Sequence, residues 1–452
     1  MSAAAASNVL ARDGSLDYPS VESAEGMWLQ LADGRRILDG CSGGAMTTCL
    51  GHANPRITKA AAAQAAAIPY AYNHHFTNHP QELLADRLAG LAPPMARVKL
   101  TSGGSEANEA ALRLARSYHV ERGDDARWRV ISPAQAYHGA TMGALALSGR
   151  PTLQRPHGDY LAPHLHLPPS SWRFDPTGRR ALDDLDELLG EAGADTVAAV
   201  FCEPVGGAAL PGHVPPDRFW EGLAERRDRH GFLICFDEVV SGVGRTGTWL
   251  AGEQLPIAPD IVTIGKSLGA GHAPVAATLC SARVYEAIAA GSREFDLGHT
   301  WDGAPLPCAV GLAVIDEIDA RGLIGQVAER GPALRDELEA ALAGSEIVRE
   351  VRGRGFLLGI DLVDPGDGES ILPDELRADE IVDDAALRHG VLVTSTHSNP
   401  DGYAGDQTSI APAYVAGDEE LSTLVERLAA AFGDAEREIK RALAQPSMAG
   451  PG

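Results

Sequence analysis

The stretch FLICFDEVVSGVGRTG, Phe232 to Gly247, decides how the rest of the chain is read. Its first half is apolar almost throughout, as a strand covered on both faces must be. The runs RWRVISP (127–133), TVAAVFCEP (196–204) and DIVTIGK (260–266) share that texture. Helical patterns lie among them: HPQELLADRLAGLA (79–92), EANEAALRLARSYHV (106–120), ALDDLDELLGEAG (181–193) and PDRFWEGLAERRDRHG (216–231). Apolar runs alternating with helices specify an α/β layer around a largely parallel sheet. The second half ends in GVGRTG, letter for letter a G-x-G-x-x-G. A dinucleotide fingerprint needs its first glycine directly after the strand and a helix opening at its last. Here FDEVVS intervenes, and TWLAGEQLPIAPD beyond Gly247 is no clean helix, so the glycines read as a turn.

Outward from this core, MWLQLADGRRILD (27–39) reads as a hairpin around an Asp-Gly turn, and GHANPRITKAAAAQAAA (51–67) ends in a helix. Past residue 322 the texture changes. ALRDELEAALAG (333–344) is a helix, FLLGIDLV (356–363) an alternating strand, and LSTLVERLAAAFGDAEREIKRALA (421–444) an amphipathic helix. This change sets the part after residue 322 apart as a smaller α+β domain. The last eight or so residues read as disordered.

The chain has 452 residues, 44% hydrophobic and 22% charged, with a formal net charge of −24. That balance argues against a nucleic-acid or anionic-membrane surface. No apolar run is long enough to cross a bilayer. MSAAAASNVLARDG lacks the basic start of a signal peptide, and Asp13 and Asp17 spoil a mitochondrial leader. Six scattered cysteines without a C-x-x-C read as reduced, buried thiols in a cytoplasmic protein.

Only four of the 38 basic residues are lysines: Lys59, Lys99, Lys266 and Lys440. Lys59 falls on an exposed helix, Lys99 precedes a strand, and Lys440 lies on the polar side of the last helix. Lys266 ends an apolar run and is followed by small residues. An amine in a dry pocket loses proton affinity and becomes a nucleophile for carbonyls. Asp237 stands where FLICF gives out, at the strand end where open α/β sheets bind ligands. Lysine for a Schiff base and acid for a pyridinium nitrogen are the minimal pair for pyridoxal phosphate. In TSGGSEANEAALRLAR (101–116) small residues lead straight into a helix, whose free N–H groups and dipole suit a phosphate.

Seven motifs, TSGGSEANEA, AYHGATMGALALSG, FCEPVGG, FDEVVSGVGRTG, IGKSLGAG, GHTWDGAPLPCA and VRGRGFLLGIDL, together resemble the class III aminotransferases across nearly the whole chain. The resemblance implies the fold-type I α/β architecture: a large domain, residues 61–322, with a mostly parallel seven-stranded sheet flanked by helices, plus a smaller α+β domain built from both chain ends. In it residues 1–60 would contribute to the smaller domain and 323–452 would form the rest. It implies that Gly104 and Ser105 hold the phosphate, that Tyr137 stacks on one pyridine face, and that Val239 packs on the other. Asp237 would pair with the ring nitrogen, and Lys266 would form the Schiff base and move the proton. His138 and Gly139 would support the ring, Glu203 would stand behind them, and Thr300 would reach the phosphate of a neighbouring subunit in a homodimer. The implied reaction is ping-pong transfer from an amine donor to a keto acid, pyruvate or 2-oxoglutarate. An isomerase (racemase, epimerase or aminomutase) or decarboxylating relative would use the same cofactor residues.

Two features depart from that pattern. Members that take α-amino acids or glutamate commonly carry a late arginine for the carboxylate, yet Val391 to Tyr414 contains none. The glutamate that often pairs with it is replaced by Ala208. Both losses point to a different amine substrate or a different clamp. AYNHHFTNHP holds His74, His75 and His79, spaced for a metal or for interface polarity, but Asn and Pro interrupt the helix a zinc pair would need. Trp301 and Asp302, after Thr300, are candidates to shape the pocket.

Overall fold

The structure is a computed structural model describing residues 8–10, 13 and 17–444. The expected disorder of the last residues lies outside the described residues. Near the N-terminus β1 (Val21–Glu25), β2 (Trp28–Leu31) and β3 (Arg36–Asp39) form an antiparallel ribbon. The β2–β3 hairpin is the one the Asp-Gly turn predicts. β1 escapes sequence reading because its residues are nearly all exposed and carry no apolar alternation.

The central sheet contains β4 (Met95–Thr101), β5 (Arg129–Pro133), β6 (Leu165–Leu167), β7 (Val197–Cys202), β8 (Leu233–Glu238), β9 (Ile261–Ile264) and β10 (Ala276–Ser281). Its order is β4-β10-β9-β8-β7-β5-β6. Only β10 runs against its neighbours; all other pairs are parallel. Every residue of β7, β8, β9 and β10 is buried, which is why those stretches are apolar without alternation. Helix α1 (Pro55–Ala67) begins at Asn54, whose side chain accepts the Arg56 and Ile57 N–H groups. Helix α2 (His79–Leu91) is capped the same way by Asn78. Helix α3 (Gly104–Glu121) buries Ala107, Ala111, Leu114, Ala115 and Tyr118 on one face against the sheet.

The remaining strands are β11 (Val348–Arg354), β12 (Leu357–Leu362), β13 (Val391–Leu392), β14 (Thr394–Thr396) and β15 (Gln407–Ile410). Four of them form an antiparallel sheet in the order β11-β12-β15-β14. β13 instead pairs parallel with β3, Val391 opposite Leu38 and Leu392 opposite Asp39, so the two ends of the chain share one sheet. Two readings need correction. FLLGIDLV is not a half-exposed alternating strand: all six residues of β12 are buried, and its acid, Asp361, is neutralised by Arg352 at 2.7 Å. Lys99 does not precede a strand but lies within β4, where it reaches Asp302 at 2.9 Å and Leu297 O at 2.8 Å.

Candidate active site

Because β4, β5, β7, β8 and β9 point the same way, their carboxyl ends converge on one edge of the sheet. The predicted residues follow those ends in turn: Gly104 and Ser105 after β4, Tyr137 to Gly139 after β5, Glu203 after β7, Asp237 and Val239 at β8, Lys266 after β9. Open α/β sheets bind ligands at this edge.

Asp237 is 5% exposed and heavily held. Its Oδ2 accepts from Asn108 Nδ2 at 2.7 Å and lies 2.8 Å from His138 Nδ1, and its Oδ1 accepts the Val239 N–H at 2.9 Å. Asn108 is fixed in turn by Thr263 Oγ1, which donates to its Oδ1 at 2.9 Å. Burial pulls the His138 imidazole down, but the hydrogen bond and charge of Asp237, with Glu203 beyond, push it up overall. The other ring nitrogen, Nε2, is buried without a partner. Glu203 accepts the Tyr137 and Gly207 N–H groups at 3.3 and 2.9 Å, and burial raises it to about 7.

Lys266 follows Gly265 in the left-handed region, φ 43°, a conformation that costs a non-glycine residue energy and is held only by its surroundings. Its amine is lowered from the ordinary lysine value by burial, against the opposing charges of Asp237 and Glu203. Among the described residues, Lys266 Nζ makes no hydrogen bond or ion pair; the other three lysines are less suited. Lys59 is exposed, Lys99 is spoken for, and Lys440 bridges Glu346 and Glu436.

The N-terminus of α3 has no side-chain cap, so its first N–H groups face outward. Ser105 Oγ accepts the Ala140 N–H at 3.0 Å, tying this turn to the one after β5. Close packing of the two turns requires glycine. At Gly139, φ 136°, a Cβ would come 2.4 Å from Ser105 Oγ, and at Gly104 one would come 2.6 Å from Val239 Cγ1.

Thr300 stands apart from this cluster, exposed in the turn before the helix Pro305–Ala320. His75 and His79 share no helix, because His75 sits in a turn and His79 opens α2. A surface hollow of about 700 Å³, walled in part by His74, Lys99 and Asp302, contains none of the cofactor candidates. The late loop holds no arginine of its own; Arg150 Nε donates to Asn399 Oδ1 at 3.2 Å and Thr396 Oγ1 to Ala208 O at 2.6 Å.

The class III aminotransferase description matches residues 11–432. The chain belongs to the class III aminotransferases. It is 33% identical to the aminotransferase YodT of Bacillus subtilis, covering 94% of this chain and 97% of that protein. It is 34% identical to a probable aminotransferase of Mycobacterium tuberculosis, over 93% and 91% of the two chains. Among solved structures, an amine transaminase from an uncultivated Pseudomonas species, in its PLP-bound form, matches with TM-score 0.86 at 32% identity, covering 94% and 97%. An (S)-enantioselective ω-transaminase from Thermomicrobium roseum also matches with TM-score 0.86 at 32% identity, over 92% and 93%. This class III aminotransferase is therefore a pyridoxal-phosphate-dependent transaminase of fold type I. Its residues suit that cofactor: an unpartnered amine, an ionisable carboxylate held in place from three sides, and an uncapped helix terminus stand at one sheet edge.

Asn108 was missed by sequence reading, although it lies one helical turn after Gly104 on α3 and so faces the same site. Glu238 was passed over as well. It is buried beside Asp237, accepts the Ala251 and Gly252 N–H groups at 2.5 and 2.9 Å, and is raised by burial to about 8.

Proposed function

We propose that the enzyme moves an amino group from an amine or amino-acid donor to a keto acid, pyruvate or 2-oxoglutarate, in two ping-pong half-reactions. One observation carries the assignment of roles: Lys266 and Asp237 flank neighbouring strand ends, one without a partner among the described residues and the other locked by Asn108, His138 and Val239. Pyridoxal phosphate, when bound, supplies an electron sink for the carbon that bears the amino group. Lys266 would anchor the cofactor and would be the group that moves the proton. Its lowered proton affinity suits both tasks. Asp237 would pair with the ring nitrogen and keep it protonated, while Tyr137 and Val239 would pack on the two ring faces. His138 and Gly139 support the ring from the turn after β5, and Glu203 backs them. Gly104 and Ser105 bind the phosphate at the start of α3.

Thr300, exposed in its turn, would serve the phosphate of a second copy in a homodimer. Around it Tyr72, Phe76 and Trp301 are 47, 67 and 56% exposed, an aromatic patch suited to burial between subunits. The sheet shared by β3 and β13 supports dividing the chain into a small domain from both ends and a large domain between them. No helix among the described residues is long and apolar enough to cross a membrane. The six cysteines are free and buried, which fits a cytoplasmic enzyme.

Borohydride reduction of the yellow holoenzyme followed by peptide mapping should fix the cofactor to Lys266; label on any other lysine would refute the assignment. An amine panel without keto acid should convert the holoenzyme stoichiometrically to the pyridoxamine form. Racemisation or CO₂ release without that conversion would instead favour the isomerase or decarboxylase reading.

A further inference from the structure

The arginine in GVGRTG is not accounted for by any role above. Arg245 is fully buried, yet among the described residues no carboxylate lies within ion-pairing distance of it. Its Nη1 donates to Pro412 O at 2.6 Å and Phe356 O at 3.3 Å, and its Nη2 to Ser42 Oγ at 3.1 Å. Its Nε is buried with no acceptor. The guanidinium lies 4.6 Å from the ring centre of Tyr414. A buried charge without a counter-ion is costly, and a protein that needed only packing or hydrogen bonds here could use a neutral side chain.

The connection to the site is short. The Tyr414 hydroxyl donates to Val243 O at 3.0 Å and lies 3.2 Å from the hydroxyl of Ser267, the residue after Lys266. Arg245 thus stands one aromatic ring away from the strained turn that carries the lysine, and it ties that turn to three distant segments, at Ser42, Phe356 and Pro412. We propose that Arg245 is a positioning residue of the transaminase site: its uncompensated charge, held by carbonyls and one serine, biases Lys266 toward its nucleophilic free-amine form. The neighbouring charges agree. Burial lowers Lys266 most, Asp237 and Glu203 oppose it, and Arg245 is the cation that acts with burial. The same guanidinium also lowers the neighbouring Cys41 and Cys49 thiols against their burial.

The inference rests on Lys266 being the reactive amine, which the borohydride mapping tests separately. Its own test uses cofactor-free protein. The pH dependence of trinitrobenzenesulfonate labelling at Lys266 is followed by peptide mass spectrometry in wild type, Arg245→Lys, Arg245→Gln and Ser42→Asp. Ser42→Asp keeps the arginine and supplies the missing counter-ion; aspartate tolerates the left-handed backbone at position 42, φ 45°. The labelling midpoint should rise in Arg245→Gln by on the order of one pH unit, about a tenfold change in the fraction of free amine at a given pH. It should rise in Ser42→Asp as well and stay at the wild-type value in Arg245→Lys. Should Arg245→Gln not fold, the equally neutral Arg245→Met decides in its place, because Ser42→Asp also adds a charge of its own. An unmoved midpoint in the neutralised variants, even with lower thermal stability, overturns the proposal, as does an equal rise in Arg245→Lys.

Discussion

Replacing Gly104 by alanine tests whether the three turns at the sheet edge are packed around the cofactor or merely near it. The new Cβ would lie 2.6 Å from Val239 Cγ1, 3.1 Å from Cγ2 and 3.4 Å from Cβ. Since both methyl groups crowd it, rotation of the valine gives no escape, and Val239 must retreat toward the space assigned to the pyridine ring. Overpacking of this kind costs about 1–3 kcal/mol. The backbone opposes that cost, because alanine is favoured over glycine in a helix by up to about 1 kcal/mol. Stability of the cofactor-free protein should therefore change little, while displacement of Val239 falls on the bound cofactor. A loss of 1.4–2.8 kcal/mol corresponds to about 10–100-fold weaker binding. Titration of cofactor-free protein with pyridoxal phosphate, followed by absorbance, should show that loss. Adding Val239→Ala, which removes both crowding methyls together with their contact to the ring, should recover part of it. Unchanged affinity in Gly104→Ala, or no recovery in the double variant, would refute the placement of Val239 against the ring.

Asp237→Asn should retain the cofactor but lower the half-reaction rate with an amine by about 10²–10³-fold, the usual scale for removing a transition-state charge stabiliser; a loss below about tenfold would argue against its role at the ring nitrogen. Glu238, held up near 8 in the folded protein against an ordinary 4.5, stabilises fully below about pH 4.5 and loses that contribution as pH rises through 8. Urea unfolding should show Glu238→Gln gaining on wild type by on the order of 1–4 kcal/mol between pH 5 and 8, whereas a pH-independent difference would contradict the buried-acid reading. Phe76→Glu and Trp301→Glu should sediment as monomers with weakened cofactor binding, and unchanged sedimentation would remove the aromatic patch from the subunit interface.

What the residues revealed in advance follows from how local their physics is. β7, β8 and β9 were readable because burial on both faces leaves a continuous apolar run. Asp237 alone is an ordinary acid at a strand edge; it stands out because Lys266 ends the next apolar run with nothing nearby to keep it at the surface. FLLGIDLV was misread because its polar member, Asp361, is compensated by Arg352 and Trp172 from elsewhere in the chain. Asn108 was silent for the same reason: it meets Asp237 across 129 residues of sequence. Arg245 shows the limit most clearly. Inside GVGRTG it resembles an ordinary loop arginine, and only the folded chain reveals that carbonyls at 356 and 412 enclose it.

The parallel pairing of β13 with β3 has a consequence for biosynthesis. Strand β3 is synthesised long before its parallel partner β13, and Ser42, just beyond β3, bonds to Ala411, 369 residues later. The central sheet contains all its own strands and can form while synthesis continues. The segment after β3, which meets Arg245 through Ser42, must wait for β13 and Ala411 to emerge. A nascent chain stalled before Val391 should therefore protect the central sheet from protease while the segment from β1 to β3 remains cleavable. The catalytic edge is thus finished last, after the sheet that carries it.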